Sequence, residues 1–201
     1  MIKLKYITLF FLSLFLFSCG YWINPRYIKM SKKTQNEHLL NPIIEPETYY
    51  NKTNNIYSID VKSLEEIIKI SSKKYVVIYF FAHWCSSCPL SIKKLNEFYK
   101  KNKSEVEIIF ISTSDWLEVK DDKLFLEKYG FKNNNLLAVN IFKYGTKFMN
   151  WERLNNFSKE LLSKEIELRL PSYFLFNNKG ELLKSQKAPN FWNKFDKEKI
   201  P

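Results

Sequence analysis

An unbroken apolar run, Tyr75-Val76-Val77-Ile78-Tyr79-Phe80-Phe81, ends four residues before a pair of cysteines with two-residue spacing, Cys85-Ser86-Ser87-Cys88. A run of β-branched and aromatic residues with no polar alternation fits a central strand buried on both faces. Lys73-Lys74 bounds it on one side, and Ala82-His83-Trp84 turns out of it on the other. A helix is expected from about Ser86, with Ile92, Leu95 and Phe98 or Tyr99 on one face. Pro89 is tolerated there because it lies in the first turn, where its missing N–H has no intrahelical acceptor anyway. Val106 to Ile111 (VEIIFI) reads as the next buried strand. A strand–helix–strand unit of this kind points to an α/β chain.

The flanking sequence extends the same pattern. Ile56 to Ile59 reads as a short strand, and Ser63-Leu64-Glu65-Glu66 has capping-box spacing, with Ser63 as N-cap. Leu64, Ile67 and Ile68 then share a helical face. Further helices are expected over Leu124 to Tyr129 and Asn155 to Glu165, with a strand near Ala138 to Phe142. Leu170 to Phe176 is a strand, and Asn178-Lys179-Gly180 turns it into a second one over Glu181 to Lys184 as a hairpin. Phe191 to Lys199 reads as a closing helix. A length of 201 residues suits one domain with short appendages.

The N-terminus reads as an export signal. Lys3 and Lys5 precede an apolar stretch, Tyr6 to Phe17, which is too short for the roughly 20 residues of a membrane-spanning helix. Leu16-Phe17-Ser18-Cys19 resembles the bacterial lipobox, which implies cleavage before Cys19 and lipidation of that cysteine. Phe17 departs from the small or β-branched residue usual there. Two other readings compete. An uncleaved anchor is opposed by Arg26, Lys29, Lys32 and Lys33 on its downstream side, and an ordinary secretory signal lacks a small-x-small cleavage site. The expected division is a signal peptide at 1–18, a tether at 19–55 and a folded domain at 56–201. The tether is polar and carries Pro25, Pro42 and Pro46. If flexible, it would reach roughly 30 Å. The domain is expected in the cell envelope, lipid-anchored and facing the periplasm or exterior.

Composition removes other classes. With only 4 glycines, a glycine-rich phosphate cradle is not expected. The net charge of +11 comes from lysines scattered among 21 acidic residues, without a basic block, so a lysine-rich surface accounts for it better than nucleic acid does. His38 falls in the tether and carries no role. The 3 cysteines divide into Cys19 and the pair Cys85 and Cys88, which leaves no odd thiol once Cys19 is lipidated.

Cysteines two residues apart at a helix start can bring their sulfurs within bridging range. The positive end of the helix favours a thiolate at the first of them. Cys85 is therefore the expected nucleophile, and Cys88, one turn in, the resolving partner. Phe80-Phe81-Ala82-His83-Trp84-Cys85-Ser86-Ser87-Cys88 resembles the active-site run of the thioredoxin superfamily. The later run Ile166 to Glu181 (IELRLPSYFLFNNKGE) resembles that family's second signature. The resemblance covers roughly Ile56 to Pro201 and is nearest to exported thioredoxin-like lipoproteins and periplasmic thiol–disulfide oxidoreductases. It implies a central mixed β-sheet flanked by helices, with an insertion between Phe131 and Glu165 before the cis-proline strand. It also implies a cis-proline at Pro171, with the backbone at Leu170 pairing with substrate beside Trp84. No cofactor is implied beyond the Cys85–Cys88 disulfide. The implied partners are exported thiol or disulfide proteins and an upstream redox partner.

Several residues depart from the family pattern. Ser86-Ser87 lacks the usual proline. Tyr79 stands where thioredoxin has a buried aspartate, and Ser91 where some anchored reductases have a glutamate. Leu170 replaces the usual Thr, Val or Ile. His83 could act on the Cys85 thiolate, but a solvent-facing loop residue is the reading preferred for it. Two other functions are compatible with such a chain. One is a copper-binding metallochaperone using Cys85, Cys88 and His83, and the other is a non-catalytic binding module that retains the fold.

Overall fold

The computed structural model describes residues 41–42, 46–114, 118–144, 150–163 and 168–187, all within the unit His38–Pro201. The signal peptide, Cys19 and the closing helix expected at Phe191 to Lys199 lie outside the described residues. Among these residues no helix is long and apolar enough to cross a membrane.

The elements in chain order are β1 (Asn41–Pro42), α1 (Pro46–Asn51), β2 (Ile56–Ile59), α2 (Val61–Ile70), β3 (Tyr75–Phe81), α3 (Cys88–Asn102) and β4 (Val106–Ser112). They continue with α4 (Val119–Lys128), β5 (Leu136–Val139), α5 (Ile141–Tyr144), α6 (Asn150–Leu162), β6 (Ser172–Asn177) and β7 (Leu182–Lys187). The strands form one mixed sheet in the order β1-β2-β5-β4-β3-β6-β7. β3 is buried at all seven positions, as its unbroken apolar pattern requires. It runs parallel to β4 and antiparallel to β6.

Alternation along the strands sends side chains to two cores. Val77, Tyr79 and Phe81 of β3 meet Ile92, Leu95 and Phe98 of α3 and Leu126 of α4 on one face. Val76, Ile78 and Phe80 meet Leu64, Ile67 and Ile68 of α2 and Phe157 of α6 on the other. Each fully buried Leu, Ile or Phe contributes about 1.5–3 kcal/mol, so helices on both faces are what make a double-sided apolar strand stable.

Several boundaries move for identifiable reasons. The N-cap of α2 is Asp60 rather than Ser63: its Oδ1 accepts the Ser63 N–H at 2.8 Å. Starting one turn earlier lets Val61 join the core. Order also begins before Ile56, because α1 buries Tyr49 against the second core. The strand expected at Ala138 to Phe142 starts at Leu136, where it pairs with both β2 and β4, and Ile141 to Tyr144 turn into α5 instead. The stretch between Phe131 and Glu165 thus supplies one sheet strand and the helix α6.

The C-terminus of α4 is fixed by Gly130, whose φ of +95° suits a residue without Cβ. Its N–H donates to Glu127 O at 3.1 Å and the Phe131 N–H to Leu126 O at 3.0 Å, a Schellman closure. A Cβ at Gly130 would meet Asn96 Nδ2 at 2.8 Å. Phe131 is buried directly after this turn, so the helix is anchored where it leaves the core.

Candidate active site

Beyond β3 the backbone makes two successive turns. The Cys85 N–H donates to Ala82 O at 3.2 Å, and the Cys88 N–H to Cys85 O at 3.1 Å. His83 and Trp84 are the central residues of the first turn, Ser86 and Ser87 those of the second. Helix α3 therefore opens at Cys88, two residues later than the sequence suggests. Pro89 takes the second helical position, where it removes no intrahelical bond. Ser87 is the N-cap residue, but its hydroxyl makes no cap bond. Instead its Oγ lies 3.5 Å from Cys85 Sγ and 3.4 Å from Leu170 O.

Cys85 and Cys88 are disulfide-bonded, with Cα atoms 5.3 Å apart. Cys88 is sealed at 0% exposure and Cys85 keeps 7%, so Cys85 is the sulfur an incoming group reaches first. Trp84 and Leu90 are exposed on either side of the pair in sequence. The Leu170–Pro171 peptide is cis. Pro171 is buried and Leu170 half-buried, and the Ser87 contact ties this distant segment to the cysteine turn. Four sequence-expected residues other than Trp84 thus converge: Cys85, Cys88, Leu170 and Pro171.

His83 is not a free loop residue. Its backbone N–H donates to Asp122 Oδ1 at 2.6 Å, and its Nδ1 lies 2.8 Å from the same oxygen. Ser112 Oγ donates to the other oxygen, Asp122 Oδ2. Asp122 is fully buried. Burial pushes its carboxyl above the usual range, while hydrogen bonds from Ser112 and from the backbone and ring of His83 pull it back. The carboxylate is held on α4 and Ser112 at the end of β4, so three elements meet behind the first turn. Sequence reasoning missed Asp122 because the helix was expected from Leu124. Extending it to Val119 places Val119, Asp122, Lys123 and Leu126 on one buried face, and a carboxylate at helical spacing among apolar residues is the available signal.

Tyr79 lies inside the same core as the cysteines, and its ring stacks on Tyr173 at 4.9 Å and Phe81 at 5.4 Å between centroids. Burial pushes its phenol well above the ordinary value, so it stays neutral where a carboxylate could ionise. Tyr79 Oη and Ser91 Oγ are both buried and make no well-formed hydrogen bond among the described residues, although the Ser91 and Tyr173 hydroxyls lie close enough to the phenol to draw its pKa back down against burial. Among those residues, no group of three or more His, Cys, Asp or Glu side chains is arranged to hold a metal ion.

A family model described as thioredoxin-like matches residues 72–182. The chain is similar to the thioredoxin domain of a thiol-disulfide oxidoreductase from Bacteroides vulgatus, with 20% identity and a TM-score of 0.45 over 62% of this chain and 78% of that one. It is also similar to a thiol:disulfide interchange protein from Bacteroides sp., with 18% identity and a TM-score of 0.45 over 65% and 74%. A third similarity is to an exposed lipoprotein thioredoxin from Streptococcus pneumoniae, with 16% identity and a TM-score of 0.42 over 65% and 86%. Among curated proteins, none matches.

Proposed function

The chain belongs to the thioredoxin-like family, and on that premise we propose that it is a thiol–disulfide oxidoreductase working on exported proteins through Cys85 and Cys88. The observation that carries this reading is the bonded pair at the C-terminal end of β3, with Cys85 the more accessible sulfur and the cis Leu170–Pro171 segment tied to it through Ser87. Ligand and reaction sites of open α/β sheets lie at this end of the strands.

In the reduced protein, the Cys85 thiolate attacks one sulfur of a substrate disulfide. A mixed disulfide forms and the other substrate sulfur leaves as a thiolate. Cys88 then attacks Cys85 Sγ, which closes the Cys85–Cys88 disulfide and releases the second substrate sulfur. Two protons and two electrons pass from the protein thiols to the substrate, and the disulfide passes the other way, from substrate to protein. The steps run equally in reverse, and the potential of the upstream redox partner sets the direction. Trp84, Leu170 and Pro171 form the surface on which the substrate chain lies, with the Leu170 backbone pairing to it.

The lipobox-like Leu16-Phe17-Ser18-Cys19 supports an anchor at Cys19 that holds the domain in the cell envelope. Fatty-acid labelling that vanishes in Cys19→Ser checks the anchor. The central test is trapping. Cys88→Ser is expected to accumulate mixed disulfides on Cys85, identifiable by mass spectrometry, and Cys85→Ser none. If neither variant traps clients and the parent chain fails to reduce insulin, disulfide exchange is not its function.

A further inference from the structure

We propose that His83 and Asp122 form a proton-accepting pair for Cys85, with Asp122 as the positioning residue and His83 as the group that takes the thiol proton. The proposal rests on the disulfide-exchange reading and goes beyond the two cysteines. It starts from an unusual use of one carboxylate oxygen. Asp122 Oδ1 meets both the backbone N–H and the ring Nδ1 of His83, so the residue is fixed at its main chain and at its side chain. Asp122 is itself immobilised, since Ser112 Oγ occupies its second oxygen and the Schellman closure at Gly130 anchors its helix.

A carboxylate facing Nδ1 selects the tautomer with the proton on that nitrogen. The other ring nitrogen, Nε2, is then left with its lone pair. His83 keeps 29% side-chain exposure, so the ring is not sealed in the core with Asp122. It is also the first central residue of the turn that Cys85 closes. Across two residues the Cα atoms can be no more than about 7 Å apart. The residue that carries this nitrogen thus shares the turn of the nucleophile, and its ring is held at Nδ1 by Asp122.

Among the described residues, the charged and titratable groups around His83 are few. Asp122 comes from α4, and Cys85 and Cys88 come from the turn and from α3. Arg153 of α6 reaches this corner through the Ser114 carbonyl, at 3.1 Å, two residues beyond Ser112. Tyr79, in the core that holds the cysteines, and Ser91, buried on the helix that Cys88 opens, offer neutral hydroxyls.

The proton count is complete with these groups. The Cys85 thiol gives its proton to Nε2, leaving a thiolate beside an imidazolium that faces Asp122. The thiolate forms a bond to a substrate sulfur, and the departing substrate thiolate takes the proton back. This arrangement of nucleophile, base and orienting carboxylate follows the general logic of an activated nucleophile.

The experiment uses the full chain, reduced, in a Cys88→Ser background, with the alkylation rate of Cys85 by iodoacetamide read at its peptide from pH 5 to 9. His83→Asn retains a donor for Asp122 and has no titratable nitrogen. It is expected to lower the rate at pH 7 at least threefold and to leave a profile governed by the thiol alone. Asp122→Asn is expected to move the profile in the same direction. Superimposable profiles for His83→Asn and its parent, at equal melting temperature, would overturn the proposal and leave Asp122 as a structural clamp. Should Asp122→Asn fail to fold, His83→Asn and His83→Gln decide alone. Insulin reduction by the unsubstituted chain separates the two ideas: an active chain with an unmoved profile rejects the pair, and an inactive chain with a moved profile rejects the exchange reading.

Discussion

Ser87 Oγ stands 3.4 Å from the carbonyl oxygen of Leu170, a residue 83 positions further along the chain. The same oxygen is 3.5 Å from Cys85 Sγ, yet a hydroxyl has a single proton to give. In the oxidised protein the carbonyl is the better acceptor, and on reduction the Cys85 thiolate becomes the stronger one. Ser87→Ala should therefore reduce the thiolate fraction at Cys85 by about fivefold, the worth of about 1 kcal/mol. Because Ser87 makes no cap bond, the melting temperature should barely move. Iodoacetamide alkylation below the thiol's own titration range, together with a thermal melt, checks both halves. A large loss of stability with unchanged reactivity would mean that the hydroxyl serves the fold.

Asn135 fastens the N-terminal segment to the sheet. Its Nδ2 donates to Tyr49 O and to Lys52 O, each at 2.6 Å, and its Oδ1 accepts the Asn55 N–H at 2.9 Å. All three partners are main-chain groups that lie beside β2 and β5. Asn135→Ala removes the bonds together and should cost about 2–4 kcal/mol, since groups left buried without partners each cost about 1–3 kcal/mol. Urea unfolding gives the total. Hydrogen exchange should show the loss concentrated over residues 46–59. Uniform loss of protection would instead mean that Asn135 supports the whole sheet.

The elements that sequence alone made legible are those whose burial pattern is extreme. β3 and β4 are apolar nearly throughout, and Ile92, Leu95 and Phe98 repeat at helical spacing, so one strand–helix–strand unit and its cysteine pair follow from local pattern. Ser87, Asp122 and the start of α2 were not legible for a common reason: each depends on a partner far away in sequence or on a competing local bond. Ser63 has the right spacing for a cap, yet Asp60 wins because it starts the helix where Val61 can be buried. His83 looked solvent-facing because its partner, Asp122, is 39 residues away and sits on a helix whose first turn carries two aspartates among polar neighbours. Pattern reads one element at a time, whereas the site is assembled from the ends of five, β3, α3, β4, α4 and β6.

Glu107 gives a pH dependence whose sign is fixed. Its carboxylate on β4 accepts from Ser71 Oγ and from Tyr50 Oη, the latter at 3.1 Å. Burial pushes its pKa up, while the Ser71 and Tyr50 hydroxyls and Lys73 pull it back. A carboxyl that holds its proton more tightly when folded makes the folded state bind more protons than the unfolded one, so stability falls as pH rises through that window. The window opens at the model-peptide value of 4.5 and extends upward. Glu107→Gln keeps an acceptor and removes the titration. Its melting temperature should decline less than that of the unsubstituted chain between pH 4 and 7, as scanning calorimetry would record. Parallel slopes would exclude Glu107 as a contributor.

Tyr79→Phe tests the ground beneath the cysteines. The substitution keeps the ring that stacks on Tyr173 and Phe81 and removes a buried hydroxyl that makes no well-formed hydrogen bond among the described residues, with the Ser91 and Tyr173 hydroxyls near it. A buried hydroxyl with only poorly formed contacts returns little of its desolvation cost. The variant should therefore be as stable as the unsubstituted chain or more stable by about 1 kcal/mol. A phenol held neutral by burial is also a poor proton acceptor for Cys88, so resolution of a preformed mixed disulfide should proceed at an unchanged rate. Denaturant unfolding measures the first quantity and stopped-flow release of a thiol chromophore the second. Destabilisation by more than about 1 kcal/mol would mean that Oη is bonded, to the Ser91 or Tyr173 hydroxyl or to a buried water. A slower resolution at full stability would make Tyr79 the proton carrier for Cys88, the role a carboxylate fills in thioredoxin.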